Sequence, residues 1–225
     1  MSMHIDGKKI TEMYWGGQKI REAWYEGRRV FSGKPVEVMP PTPGTYDARD
    51  WLRAKLTEYG EDYQTVEEIP FEIDSSNATT MWEMFRDCPS LITVPEMDTS
   101  SVTTMRTMFQ HCHALTTVPD MDTSQVTIMD YMFYSCSSLT TAPEMDTSSV
   151  TSMREMFRDC SSLTTVPDMD TSQVTRVMYM FYGCSSLTDG NVRLIGKRST
   201  VATTSMIANS GLTREPFYDI NGQPI

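Results

Sequence analysis

The sequence has no run of eighteen apolar residues, so it predicts no transmembrane helix and no membrane insertion. Residues 1–6 lack the apolar segment of a secretory signal, and we expect none. Histidine is scarce, with three residues in 225. The chain also lacks the G-x-S-x-G, H-E-x-x-H and phosphate-loop signatures of common hydrolases and nucleotide-binding proteins. We therefore expect no enzymatic activity and no cofactor.

Positive charge is scarce in the body of the chain. Residues 66–190 contain five Arg against eighteen Asp and Glu, a net charge of −13. Such a surface repels a phosphate backbone, so we expect no nucleic-acid partner. Residues 1–34 differ, with seven Lys and Arg against four Asp and Glu. This basic segment either docks on an acidic partner or is an ordinary solvated surface.

What the sequence does contain is a repeat of 24 residues. The unit reads M-x-x-M-F-x-x-C-x-S-L-T-T-V-P-x-M-D-T-S-x-V-T-x. Its five cysteines are Cys88, Cys112, Cys136, Cys160 and Cys184. One unit buries about seven apolar side chains, which is too little to offset the conformational entropy of ordering its backbone. The units must therefore stack on one another.

Each unit predicts a short helix, a turn and a strand. The Asp98-Thr99-Ser100 segment has side chains that cap helices. An apolar face with helical spacing follows and ends at Cys112. Residues 115–118 form a short segment that is rich in β-branched side chains and is followed by Pro119, which is typical of a short strand. The predicted fold class is an α/β repeat solenoid, with a parallel sheet on one side and short helices on the other, preceded by a small antiparallel β module.

These repeats resemble those of the BspA-like leucine-rich-repeat surface proteins. The shared residues are the M-F-x-x-C-x-S-L-T-x-V core and the D-T-S-x-V-T-x-M stretch, and the likeness covers residues 66–190. The resemblance implies a right-handed, leucine-rich-repeat-like solenoid and a role in adhesion or surface recognition. Members of this family are often secreted or lipid-anchored. On that point we expect this chain to differ, because the sequence shows neither a signal nor an anchor.

The segments that flank the repeats predict two caps and a linker. Residues 47–65 contain an amphipathic pattern from Asp50 to Gly60 and predict an N-terminal helical cap. Residues 191–225 echo the repeat, with Met206-Ile207 in place of Met-Phe, and predict a degenerate repeat and C-terminal cap. Residues 35–46 contain four prolines and predict a semi-rigid linker.

Residues 1–34 carry a second repeat, of ten residues. Gly turns separate short aromatic segments, which predicts a β-meander that serves as an attachment module. Residues 10–30 resemble the short I-x-x-x-Y-x-G modules of phage tail and other virion structural proteins. That resemblance implies contacts with other virion proteins through residues 1–34. The aromatic residues expected at this assembly interface are Tyr14, Trp15, Trp24 and Tyr25.

Two functions are consistent with this organisation. The first is a non-enzymatic phage virion structural protein of the tail, receptor-binding or decoration type, assembled in the host cytoplasm, whose solenoid recognises a host or partner surface. Because virion fibres are commonly trimeric, this hypothesis also predicts a homo-oligomer, specifically a trimer. The alternative is a BspA-like adhesin on the bacterial cell surface that binds a host protein or a surface glycan.

Variable positions between the fixed core residues form the candidate ligand-binding site. Exposed aromatic residues and Arg are typical of protein-binding surfaces. The candidate residues are Trp82, Arg106, Tyr131, Tyr134, Arg154, Tyr179 and Tyr182. The alternative is that these positions vary without a function. A Thr-rich face, which includes Thr116 and Thr140, is a second candidate surface.

Three sets of residues raise the question of a metal or redox site. The Cys column lies on the apolar face, so we expect buried free thiols. The Asp column, which includes Asp98 and Asp122, is expected to cap helices, because no calcium-loop signature accompanies it. His111 and His113 flank one Cys, and no second cluster repeats them. We therefore expect no metal site.

Overall fold

A computed structural model describes residues 4–5, 8–9, 13–15, 18–20, 34–40, 48–196 and 201–225. Within these ranges the chain has one helix, α1 (Ala48–Glu58), and nine short strands. The strands are β1 (His4–Ile5), β2 (Lys8–Lys9), β3 (Met13–Trp15), β4 (Gln18–Ile20), β5 (Val36–Val38), β6 (Glu72–Asp74), β7 (Met169–Asp170), β8 (Leu194–Ile195) and β9 (Phe217–Tyr218).

The N-terminal strands form two antiparallel hairpins. Strand β1 pairs with β2, and β3 pairs with β4, with Tyr14 opposite Lys19. Within the described ranges no pairing joins β2 to β3, and the β-meander over residues 1–34 stays a prediction. Tyr14 and Trp15 lie in β3, whereas Trp24 and Tyr25 lie outside the described residues. Their role in assembly stays a prediction.

The predicted linker contains a strand. Strand β5 pairs in parallel with β6, and the ladder extends at both ends through the Glu72 N–H to the Pro35 carbonyl and the Met39 N–H to the Asp74 carbonyl. The linker prediction is therefore wrong for residues 36–38. Proline lacks only its own N–H, so Pro35 can precede a strand without weakening the bonds that follow it.

Helix α1 lies where the sequence predicts a helix. Its buried residues are Ala48, Trp51, Leu52 and Leu56, which follow helical spacing. The Trp51 ring meets the Phe71 ring edge-to-face, with centroids 6.3 Å apart. The helix ends at Glu58, and Gly60 follows it with a φ of 77°, the left-handed conformation that is common just after helices.

The repeats stack in register. Isolated parallel bridges join equivalent residues of successive repeats, from Thr104 to Ile128, Ser152, Arg176 and Ala202. Backbone bonds follow the same step, as when the Thr127 N–H donates to the Thr103 carbonyl at 3.0 Å. The 24-residue period of the sequence is thus the period of an inter-repeat hydrogen-bond ladder.

The helices predicted in each repeat are absent from the described residues, and turns replace them. We call the segment around each Met-Phe pair a Met-Phe rung; the rungs are residues 82–88, 106–112, 130–136, 154–160, 178–184 and 204–210. Alternate N–H groups of a rung close local turns, as from Met84 to the Met81 carbonyl. The others reach the next repeat, as from Phe85 to the Met108 carbonyl at 2.9 Å.

The backbone of the rungs explains why a helix cannot form. In the first rung Glu83 and Asp87 both have a φ of 60°, and later rungs have left-handed residues at the same two positions. An α-helix requires negative φ throughout and directs every N–H along its own axis. Apolar spacing cannot separate the two structures, because a row of turns also brings every third or fourth residue to one side.

The strands predicted in each repeat are also shorter than expected. In the Thr-rich segment the structure has an isolated parallel bridge between Thr141 and Thr165. A regular parallel sheet of three strands, β7, β8 and β9, is present near the C-terminus. The fold is therefore a stacked repeat fold with small parallel sheets.

The core is a column of Phe rings with a column of thiols beside it. Neighbouring rings lie nearly parallel at centroid distances of 5.3 to 5.8 Å; they are Phe85, Phe109, Phe133, Phe157 and Phe181. Each thiol from Cys112 onward donates to a Phe carbonyl of the preceding repeat, as from Cys136 Sγ to the Phe109 oxygen at 3.1 Å. The prediction of buried free cysteines is confirmed. Burial raises the pKa of Cys88 and Cys184 to about 12.

The Asp-Thr-Ser segments form turns, so the prediction that they cap helices is wrong. Asp122 Oδ1 accepts from both the N–H and the hydroxyl of Ser124, and these bonds lower the pKa of Asp122. The neighbouring Thr123 is buried, and its hydroxyl donates to the Asp146 carbonyl of the next repeat at 2.8 Å. The segment thus closes a turn and bonds two repeats together.

The buried Thr hydroxyl gives a direct test of inter-repeat bonding. Replacing Thr123 by Val keeps the shape but removes the donor to a buried carbonyl, so we expect the free energy of unfolding to fall by about 1–3 kcal/mol. Thr127→Val is the matched control, because its 3.3 Å bond to the Thr103 carbonyl lies at an exposed position. Urea denaturation of the full chain measures both. Equal losses in the two variants would contradict the role of the buried hydroxyl.

Candidate functional site

Five of the seven predicted binding residues come together on one surface of the stack. Tyr131 and Tyr134 belong to the third rung, Arg154 to the fourth, and Tyr179 and Tyr182 to the fifth. Tyr131 and Tyr179 have φ values of 58° and 57°, so they occupy the first left-handed position of their rungs. The two Tyr pairs have the same edge-to-face geometry, with centroids 6.1 and 6.0 Å apart.

Arg158 joins the two tyrosine pairs. Its Cζ lies 5.5 Å from the Tyr134 ring centroid, 5.6 Å from that of Tyr179 and 5.0 Å from that of Tyr182. A guanidinium within about 6 Å of a ring face is attracted by the ring quadrupole. Arg154 makes the equivalent contact with Tyr131 at 5.5 Å. We call the set Tyr131, Tyr134, Arg154, Arg158, Tyr179 and Tyr182 the tyrosine face.

Glu155 holds the two arginines of the tyrosine face in place. The residue is 5% exposed, and its carboxylate accepts from Arg154 Nε at 3.0 Å and from Arg158 Nη1 at 2.9 Å. Burial, together with the charge of Glu155, raises the pKa of Tyr131. The Tyr131 hydroxyl therefore keeps its proton over the physiological pH range.

Sequence reasoning missed Glu155 and Arg158 as site residues. The segment Glu-Met-Phe-Arg-Asp occurs at residues 83–87 and again at 155–159, and this repetition is the signal that would have found them. In the first copy Glu83 pairs with Arg86 in the same way, and its second partner is Arg49 of α1. A Glu carboxylate that pairs with two guanidiniums thus occurs twice in this chain.

Two predicted residues lie apart from the tyrosine face. Trp82 is in the first rung and 42% exposed, and Arg106 is exposed in the second rung. In the part of the chain that the structure describes, neither makes an aromatic or cation–π contact with the four tyrosines. They share the column of Arg154, but Trp82 lies three repeats and Arg106 two repeats before it.

The two neighbouring histidines line a cavity of about 500 Å³ beside the second rung. His111 Nδ1 lies 2.8 Å from Asp87 Oδ1, and His113 Nδ1 lies 2.9 Å from the Ser135 carbonyl. Each ring therefore already has a hydrogen-bond partner on one nitrogen. Among the described residues, no three His, Cys, Asp or Glu side chains are arranged to hold a metal ion.

The chain is a repeat protein, and comparison with known proteins gives its family. It matches the family described as "Mycoplasma protein of unknown function, DUF285" over residues 56–143 and 116–215, which together cover more than half of its length. The chain belongs to this family. The match supports the repeat part of the resemblance drawn from the sequence, and it does not extend to residues 1–34. No curated protein matches the chain.

One solved structure is similar in arrangement. It is a leucine-rich repeat protein from Eubacterium ventriosum, determined at 2.50 Å resolution, with 21% sequence identity and a TM-score of 0.46. The similarity covers 68% of this chain and 45% of that protein, so the chain spans less than half of its length. Within the described residues, no helix of the chain is both long enough and apolar enough to cross a bilayer.

The buried carboxylate provides a test of how the tyrosine face is built. Glu155→Gln leaves the Arg154 and Arg158 charges unneutralised, so we expect the free energy of unfolding to fall by about 1–2 kcal/mol. The loss is no larger because water partly solvates both guanidiniums. Glu144→Gln is the matched control at an exposed position and should change it by less than about 0.5 kcal/mol. Urea denaturation measures both variants. An equal effect of the two would show that Glu155 does not organise the face.

Proposed function

We propose that this chain is a non-enzymatic, leucine-rich-repeat-type solenoid that binds a partner through the tyrosine face. The observation that carries the proposal is the fixed arrangement of four tyrosines around two arginines. Tyr and Arg are the side chains that most often dominate binding energy at protein interfaces. Membership in a repeat family supports the proposal, because stacked repeats offer extended surfaces for recognition.

The tyrosine face is organised before any partner arrives. Its rings are half-buried and held by Arg154 and Arg158, which Glu155 fixes in turn. Binding therefore orders few additional rotamers, and more of the contact energy is available for affinity. Tyrosine also offers a hydroxyl at the end of an apolar ring, so one face can bind both polar and apolar groups.

The proposed partner is a protein or a glycan on another cell, and the proposed role is that of a BspA-like adhesin at the bacterial cell surface. The family match favours this role over a phage virion protein, since nothing in the comparisons supports the likeness of residues 1–34 to virion modules. We do not propose a nucleic-acid partner, because the acidic surface of the repeats repels a phosphate backbone.

Adhesion of coated beads tests the proposal. Beads that carry the full chain should attach to cultured epithelial cells, and replacing all four tyrosines by Ala should reduce attachment at least tenfold, because the anchoring rings are lost. The matched control replaces Thr116, Thr140 and Thr164 on the Thr-rich face by Ala and should attach normally. Protease or glycosidase treatment of the cells distinguishes a protein partner from a glycan.

The proposal fails if the Tyr variant and the chain as given attach equally well, or if the Thr variant alone loses attachment. Amide exchange at Phe133 serves as the folding control, since this residue lies in the core of the third repeat. A variant whose Phe133 amide exchanges as slowly as in the unsubstituted chain is folded, and its attachment can be compared directly.

A further inference from the structure

The two tyrosine pairs of the tyrosine face are two repeats apart. Tyr131 and Tyr134 belong to the third rung, and Tyr179 and Tyr182 belong to the fifth. Backbone hydrogen bonds join successive rungs as they join strands, so one step is about 4.8 Å and the two pairs are about 9.6 Å apart. The contacts of Arg158 agree with this scale. Its Cζ lies 5.5 Å from the Tyr134 centroid and 5.0 Å from the Tyr182 centroid, and the two rings cannot be further apart than these distances together.

This separation is close to one turn of a polyproline II helix. That helix has three residues per turn and rises about 3.1 Å per residue, so every third residue lies on the same side, about 9.3 Å from the one before it. A polyproline II segment that lies along the axis of the stack therefore places every third residue beside a tyrosine pair. Proline-rich segments of this kind dock in aromatic-lined grooves of protein domains.

The tyrosine face also offers the hydrogen-bond donors that such a segment needs. The backbone carbonyls of polyproline II have no partner within their own helix. In the part of the chain that the structure describes, the hydroxyls of Tyr134, Tyr179 and Tyr182 make no hydrogen bond. Arg158 lies between the two pairs, and its Nη1 donates to Glu155 at 2.9 Å. Its Nη2 makes no hydrogen bond within the described residues and carries two further N–H groups.

The inclination of the rings favours a peptide over a glycan. The two rings are inclined by 68° in the first pair and by 63° in the second, so neither pair forms a flat platform. A sugar ring stacks flat on an open aromatic face, whereas Arg158 already lies over the rings of Tyr134, Tyr179 and Tyr182. A proline ring is small and saturated, and it packs between inclined rings.

The charge around the tyrosine face favours basic residues beside the prolines. Arg154 and Arg158 are accompanied by three carboxylates, those of Asp130, Glu155 and Asp159. The Asp130 Oδ1 atom accepts from the Arg154 N–H at 2.9 Å, and the Asp159 Oδ2 atom lies 3.4 Å from the Arg158 Nε atom. The repeats as a whole are acidic as well. Lys or Arg at the ends of a bound segment is therefore attracted to this surface.

We propose that the tyrosine face binds a polyproline II segment of a partner protein, in which proline recurs at every third residue and Lys or Arg flanks the prolines. Two prolines three residues apart pack against the two tyrosine pairs. The tyrosine hydroxyls and the Arg158 guanidinium donate to the carbonyls between them. The inference rests on the proposed function, since it names the chemistry of the partner at the same face.

Isothermal titration calorimetry on the full chain tests the spacing. The probe is the peptide Lys-Pro-Ala-Ala-Pro-Ala-Ala-Pro-Lys. Its isomer Lys-Pro-Ala-Pro-Ala-Ala-Ala-Pro-Lys has the same composition and charge, but none of its prolines are three residues apart. We expect saturable binding of the probe and at least tenfold weaker binding of the isomer, because neighbouring prolines of the isomer cannot reach both tyrosine pairs.

Two variants of the chain test where the probe binds. The double variant Tyr179→Ala with Tyr182→Ala removes one tyrosine pair and should bind the probe at least tenfold more weakly. Trp82→Ala is the matched control, because it removes an exposed aromatic ring of the first rung, away from the face, and should leave the affinity unchanged. Slow exchange of the Phe133 amide reports that each variant is folded.

The inference is overturned if the probe shows no saturable binding, if the isomer binds equally well, or if the double variant binds the probe as the unsubstituted chain does. Binding of the glucose oligosaccharide cellohexaose in place of the probe would identify a glycan site and would also overturn it. The titration involves no cells, so it is independent of bead attachment. Attachment through the tyrosines without binding of the probe contradicts this inference alone, whereas binding of the probe by a chain whose beads do not attach supports it and contradicts the adhesion role.

Discussion

The structure depends on the fate of alternate backbone N–H groups in the Met-Phe rungs. Half of them close local turns, and the other half point out of the rung and need an acceptor. A buried N–H without a partner costs about as much free energy as a lost hydrogen bond. The carbonyls of the neighbouring rung are the acceptors, so a repeat is stable only beside another. The Phe column and the buried Thr hydroxyls strengthen the same junctions.

The same constraint positions the tyrosine face. Two residues of each rung adopt positive φ, which is unfavourable for residues other than glycine. Tyr131, Glu155 and Tyr179 all occupy the first of these positions, in three consecutive rungs. The contacts of Glu155 with Arg154 and Arg158 offset part of that cost and also fix the arginines between the rings. Backbone strain and the proposed binding surface therefore coincide at one column.

Several parts of this organisation are visible as patterns in the sequence. The 24-residue period, the buried cysteines, the helix before the repeats and the antiparallel strands could all be predicted. The short helices could not be told from turns, because apolar spacing is similar in both and Glu83 or Tyr131 carries no mark of positive φ. Strand β5 was not predicted, because the prolines around it indicated a linker. Glu155 was not predicted because the candidates were aromatic residues and Arg. Arg158 was not predicted because its contacts with the rings of the neighbouring repeats become visible only in the structure.

The most direct test of this account is the detection of scalar couplings across hydrogen bonds by NMR. The account predicts a coupling between the Phe133 nitrogen and the Met156 carbonyl carbon, whose oxygen lies 2.9 Å from that nitrogen. Equivalent couplings should join Phe109 to Met132 and Phe157 to Met180. A coupling from Phe133 to the carbonyl of Met129, four residues earlier, would mean that the rung is an α-helix and would contradict the account.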